Sequence, residues 1–157
     1  LTAAEADGLE RRECLMKIGS SSKALATLFE GLAAERSVDL AKVNGIASDV
    51  QDVMEKEPLA LIGATRLKSK DQVTFQHSIA VSALMMHLAA HLGYSGGKVR
   101  LMGIAGLLHD IGKTRIPDEV LNKSGMLTQE ELQIIRDHPK LGYEILKDDP
   151  DVRAMLK

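Results

Sequence analysis

Three histidines and one aspartate of this 157-residue chain have the residue types and spacing of a metal site. They are His77, His109, Asp110 and His138. Imidazole and carboxylate groups suit borderline transition metals, and one carboxylate can offer an oxygen to each of two ions. Two ions about 3.5–4 Å apart can activate a water molecule and clamp the attacking and leaving oxygens of a phosphate ester. The set therefore predicts phosphoester hydrolysis.

Two basic residues, Lys113 and Arg115, follow Asp110 within five residues and predict where a phosphate would bind. Lys113 lies about one turn beyond Asp110 and would supply a positive charge to a phosphate oxygen. Arg115 makes the surface beside it more cationic and is a second candidate for substrate binding. We expect Asp110 and Lys113 to be the catalytic residues.

Each of these residues also has a plainer structural interpretation. Taken alone, His77 on an apolar helix face is more often a buried core histidine than a ligand, and His138 at a helix corner can face solvent. A buried pair of His109 and Asp110 beside a surface lysine is the corresponding alternative for the central motif. Burying these polar groups is costly unless each is paired or bound, which favours the metal site for the set as a whole.

Apolar residues recur at spacings of three and four, which predicts an all-α chain. A first helix is expected to about residue 34, with Gly19–Ser22 either loosening it or breaking it. A second helix, capped by Asp39 or by Ser37, should end near Glu57 because Pro58 follows. A short third helix over 59–67 and a linker over 68–71 complete this part.

The helices of the site are predicted from residue 72 onwards. A helix over 72–92 carries the stripe His77, Val81, Leu84 and Leu88, which we expect to face inward. The helix over 98–109 is apolar almost all round and should be buried, with Gly103, Ala105 and Gly106 leaving room for a neighbouring helix. Thr128 and Glu131 predict a capping box. Pro139 predicts a helix end that leaves His138 at a corner.

The composition excludes several classes of protein. Aromatic residues make up 3% of the chain and the net charge is −2, so neither a stacking platform for single strands nor a duplex-binding surface is expected. The single cysteine, Cys14, cannot form an internal disulfide, which favours a reducing cytoplasm. No apolar run approaches the roughly 20 residues of a membrane span.

Linked motifs over about 70–146 resemble the HD-GYP subfamily of the HD metal-dependent phosphohydrolase superfamily. In order, they are FQHS at 75–78, GLLHDIGK at 106–113, IPD at 116–118, LNKSG at 121–125, LT at 127–128 and HPKLGYEIL at 138–146. The resemblance implies an all-α helical bundle of the HD-domain type. It also implies an enzyme that hydrolyses the bacterial second messenger cyclic di-GMP with a two-metal-activated water.

The same resemblance assigns roles to individual residues. The four residues His77, His109, Asp110 and His138 match metal ligands, with Asp110 as the bridging one, and Lys113 matches a lysine that contacts substrate phosphate. Members with three metals carry a glutamate four residues before the first ligand, where this chain has Val73. The resemblance therefore implies two divalent ions, such as iron or manganese.

Residues 71–157 correspond to the N-terminal half of such a domain, and residues 1–70 resemble a helical connector or signalling segment. The subfamily's paired histidines, its Gly-Tyr-Pro motif and a late metal-binding aspartate lie beyond Lys157. We therefore expect the 157-residue chain alone to hold an incomplete site and to be inactive or weakly active. The alternative is a non-catalytic HD-type signalling or interaction module. A homodimer or an upstream sensory domain would fit either case.

Overall fold

The computed structural model describes residues 3–35, 38–57 and 73–155, and these residues form helices without any strand among them, which confirms the all-α prediction. The helices are α1 (Ala3–Glu35), α2 (Leu40–Lys56), α3 (Val73–His91), α4 (Gly96–Leu108), a 3-10 turn (Ile111–Arg115), α5 (Asp118–Leu121), α6 (Gln129–Arg136), α7 (His138–Leu146) and α8 (Pro150–Met155). The predicted third helix over 59–67 and the linker over 68–71 lie outside the described residues. None of the described helices is long and apolar enough to cross a membrane.

Helix α1 is continuous, so the Gly19–Ser22 segment neither loosens nor breaks it. Two of its serines, Ser21 and Ser22, are buried, and the segment lies between the buried side chains of Ile18 and Leu25. Packing on both sides of the segment therefore holds it helical despite its low helix propensity.

The chain divides into two compact units. The first comprises Leu1–Thr27 and Ala41–Leu107, and the second comprises Leu28–Leu40 and Leu108–Lys157. In the first unit, the Lys17 ammonium joins α1 to α2 through Asp52 at 2.7 Å and Asp49 at 3.0 Å. These carboxylates raise the pKa of Lys17, Asp52 more than Asp49, and Lys17 lowers the pKa of Asp52. All three side chains are more than a third exposed, so the ion pairs add little to stability.

The predicted inward face of α3 is wrong. His77 is exposed, and Leu84 and Leu88 are 68% and 56% exposed. The buried face instead carries Ser78, Ile79, Ser82, Ala83, Met86 and Ala89. Because α3 is apolar on several sides, the spacing of its large residues does not choose which side is buried.

Close packing by α4 explains which side of α3 is buried. A Cβ atom on Gly106 would lie 2.6 Å from the Cα of Ser82, and one on Gly103 would overlap Met86. These two glycines therefore leave the room for a neighbouring helix that the sequence predicted. Ala105, expected to share that role, is exposed.

The second unit has its own buried residues. Leu28, Phe29 and Leu32 come from the end of α1, and Leu108, Ile111 and Ile116 surround the 3-10 turn. The Val38 amide donates to Asp149 Oδ2 at 3.3 Å, while Asp149 Oδ1 accepts from the Val152 amide at 3.2 Å. Asp149 thus joins the residues after α1 to the start of α8.

Cys14 provides a first test of how α1 packs in the first unit. Its thiol is buried, and burial raises its pKa, so little reactive thiolate forms at neutral pH. We expect alkylation of Cys14 by iodoacetamide at pH 8 to be at least about tenfold slower in the native protein than in denaturant. Mass spectrometry would follow the modification, and equal rates in both conditions would contradict this packing.

Candidate metal site

The central motif lies in a tight connection after α4. Helix α4 ends at Leu108, one residue earlier than predicted, so His109 and Asp110 lead into the 3-10 turn. The Lys113 amide donates to the Asp110 carbonyl at 2.9 Å and starts this turn. Because the flanking Leu108 and Ile111 are buried, Asp110 is carried into the interior with them and is only 3% exposed.

Three cationic or imidazole groups surround the buried Asp110 carboxylate. Its Oδ2 lies 2.7 Å from Lys113 Nζ and 3.4 Å from His109 Nε2. Its Oδ1 lies 3.3 Å from His138 Nε2. The two oxygens therefore face different histidines. This arrangement suits a carboxylate that offers one oxygen to each of two metal ions.

His138 reaches this carboxylate because of the corner at the start of α7. The capping box of Thr128 and Glu131 is present and starts α6. Helix α6 ends at Arg136, and α7 begins two residues later at His138, with Pro139 in its first turn. The corner prediction is thus confirmed. The side chain is 24% exposed, and its Nε2 faces Asp110 rather than bulk water.

A hydrogen bond to a backbone carbonyl orients the His138 ring. His138 Nδ1 lies 2.8 Å from the carbonyl oxygen of Ile135. A carbonyl oxygen can only accept, so Nδ1 carries the proton of this hydrogen bond, and Nε2 is the ring nitrogen that faces the Asp110 carboxylate. Nε2 lies 3.3 Å from Asp110 Oδ1, close enough for both atoms to bind the same cation. The sequence gives no sign that the Ile135 carbonyl is a partner of His138, because every residue type has a backbone carbonyl.

The spacing of these groups fits a divalent metal ion. In a tetrahedral site, ligand atoms at about 2.0–2.2 Å from one ion lie about 3.3–3.6 Å from each other. The distances of 3.3 Å and 3.4 Å between imidazole nitrogens and carboxylate oxygens fall within this spacing. Histidine nitrogens oriented by a second hydrogen bond are also typical of metal ligands. The donors around Asp110 therefore suit a metal.

The other predicted site residues lie as follows. Lys113 is 30% exposed and ends beside the carboxylate, while Arg115 is exposed at the end of the 3-10 turn. His77 belongs to the first unit, on α3, so its part in the ligand set stays a prediction. The remaining histidines, His87 and His91, are exposed on α3, as expected for surface residues.

Comparisons with known proteins place this site in a family context. The HD domain family model matches residues 74–156. The chain is 36% identical over 147 residues to cyclic di-GMP phosphodiesterase PA4108 of Pseudomonas aeruginosa, covering 94% of this chain and 36% of that protein. It is 38% identical over 89 residues to 3'3'-cGAMP-specific phosphodiesterase 1 of Vibrio cholerae, covering 57% of this chain and 20% of that protein.

A third relative is the cyclic di-GMP phosphodiesterase response regulator RpfG of Xanthomonas campestris. It is 35% identical over 102 residues, covering 64% of this chain and 27% of that protein. The chain thus spans about a third or less of the length of these three relatives. No solved structure matches the chain significantly.

Proposed function

Since the chain belongs to the HD domain family and is HD-GYP-like in its motifs, we propose that its protein hydrolyses cyclic di-GMP as a metal-dependent phosphodiesterase. The observation that carries this proposal is the buried Asp110 carboxylate, whose two oxygens face the imidazoles of His109 and His138. Relatives named as cyclic di-GMP phosphodiesterases support the choice of substrate.

The proposed metal ligands are His77, His109, Asp110 and His138, with Asp110 between two ions such as iron or manganese. His77, His109 and Asp110 each offer an atom of a type that such ions bind. The ions would supply an activated water and stabilise the charge that develops at the phosphate. Within the chain, Asp110 holds its two oxygens toward separate imidazoles, and Ile135 keeps the His138 ring in the ligating tautomer.

Lys113 and Arg115 are the proposed substrate-binding residues. The Lys113 ammonium is held at the edge of the site by Asp110 and is partly exposed, so it can also reach a phosphate oxygen. Its positive charge would stabilise the negative charge of the phosphate in the transition state. Exposed Arg115 would help attract the dianionic dinucleotide.

The wider assignment follows from the same proposal. We assign residues 71–157 to the N-terminal half of the phosphodiesterase domain, which the match over 74–156 supports, and residues 1–70 to a connector. That connector would join the domain to an upstream sensory domain or to a second copy. The single cysteine is consistent with a cytoplasmic location.

Replacing histidines one at a time tests the proposal. In the whole protein, His138→Ala should lose bound metal and lower cyclic di-GMP hydrolysis by at least about 100-fold. His91→Ala removes an exposed histidine of α3 and should leave both properties unchanged. Metal content would be measured by mass spectrometry and products by chromatography, with 3'3'-cGAMP assayed beside cyclic di-GMP.

Two outcomes would contradict the proposal. Tight binding of cyclic di-GMP without hydrolysis, in protein loaded with iron or manganese, would favour the non-catalytic signalling module. Preferential hydrolysis of 3'3'-cGAMP would retain the phosphodiesterase but reject cyclic di-GMP as its substrate.

A further inference from the structure

The 3-10 turn and the first turn of α7 approach each other at a single glycine. A Cβ atom on Gly112 would overlap the carbonyl oxygen of His138 and would lie 2.5 Å from the amide nitrogen of Gly142. These two residues are four apart in α7, the spacing of a helical hydrogen bond. The side of Gly112 that would carry a side chain thus lies directly against the backbone of the first turn of α7.

The requirement for glycine here is steric rather than conformational. Among the described glycines, only Gly93 has a positive φ, so an L-residue could adopt the Gly112 backbone. The obstacle is the backbone of α7, which cannot rotate away as a side chain could. Gly142 faces the same contact from the other side, where its Cβ atom would lie 3.3 Å from Ile111 Cγ2 and 3.4 Å from the Gly112 amide.

This contact lies next to both halves of the candidate metal site. Gly112 follows Asp110 by two residues, and the carbonyl that it touches belongs to His138 itself. The imidazole of the same residue reaches Asp110 Oδ1 at 3.3 Å. Any shift that separates the turn from α7 therefore also separates the carboxylate from the imidazole.

We infer that Gly112 is a positioning residue, whose missing side chain sets the distance between Asp110 and His138 and so allows both to bind one metal ion. The inference rests on the proposed metal site. A methyl group at position 112 would push α7 outward, and a ligand pair that must stay about 3.3–3.6 Å apart would not tolerate this shift. Gly142 has the looser contact, so a methyl group there should have a smaller effect.

Cobalt(II) binding tests this inference independently of activity. Gly112→Ala should weaken cobalt affinity by about 10–100-fold and should give the visible absorption spectrum of His138→Ala. Gly142→Ala should weaken affinity less than Gly112→Ala. Gly125→Ala is the matched control, since a Cβ atom there would contact nothing within 4 Å, and it should bind cobalt as the unchanged protein does.

A double variant separates positioning from general stability. If Gly112 acts through His138, the Gly112→Ala/His138→Ala protein should bind cobalt no more weakly than His138→Ala alone. Circular dichroism would confirm that each variant is folded at the assay temperature. Should Gly112→Ala fail to fold, Gly142→Ala with and without His138→Ala tests the same contact from the α7 side, with a smaller expected loss of cobalt affinity.

The outcomes distinguish this inference from the function on which it rests. Additive losses in the double variant, or wild-type cobalt affinity in folded Gly112→Ala, would overturn the positioning role alone. Failure of the unchanged protein to bind cobalt, manganese or iron would instead overturn the proposed metal site.

Discussion

Asp110→Asn in the whole protein should abolish metal binding and lower cyclic di-GMP hydrolysis by at least roughly 10³-fold. Asparagine keeps the size of the side chain but removes its charge, and its amide group would present protons to a histidine nitrogen or to the Lys113 ammonium. Asp110 itself is buried between these groups, so solvent compensates only weakly for the lost charge. Metal content and product formation would be measured on the same samples.

The control for this prediction is Asp118→Asn. Asp118 is an exposed aspartate in the first turn of α5, in the same unit as Asp110. Its replacement should leave metal content and turnover within about twofold of the unchanged protein. Substitutions of exposed residues away from buried polar groups and ion-pair networks have small effects. Retention of metal and activity by Asp110→Asn would refute the assignment of Asp110 as a ligand.

Lys113→Ala should separate catalysis from metal binding. We expect turnover to fall by about 10²–10³-fold, because one positive charge at the phosphate is lost. Bound metal should be retained, since removing an ammonium group 2.7 Å from Asp110 Oδ2 removes a charge that repels a metal cation. Both quantities would be measured at saturating metal.

Lys123→Ala is the matched control for the lysine. Lys123 also pairs with a carboxylate, at 2.6 Å from Glu131, but does not contact Asp110. It should keep its activity. Loss of metal from Lys113→Ala equal to that from Asp110→Asn would mean that Lys113 supports the carboxylate structurally and has no separate role at the phosphate.

Helix boundaries were predictable where neighbouring residues determine them. The capping box of Thr128 and Glu131 and the positions of Pro58 and Pro139 act within a few residues of the chain. The predicted ends near these residues are accordingly confirmed. The Gly19–Ser22 segment could not be decided, because tertiary burial of the surrounding residues holds it helical.

The buried face of α3 could not be predicted from its own residues. Leu84 and Leu88 are larger and more apolar than Ser82, yet they are exposed and Ser82 is buried. Close approach of Gly106 to the Ser82 backbone explains this reversal. The spacing of apolar residues describes one helix by itself, whereas the face that is buried also depends on how closely the partner helix can approach.

The sequence alone determined the chemistry that is available: the residue types of the site, their order in HD-GYP-like motifs, and the helix ends that place His138 at a corner. The tertiary structure decided which carboxylate oxygen faces which imidazole, that Ile135 holds the His138 ring, and that Gly112 touches α7. The physical reason is the distance along the chain over which each effect acts. Local backbone preferences act over a few residues, while the distance between Asp110 and His138 depends on segments that only packing brings together.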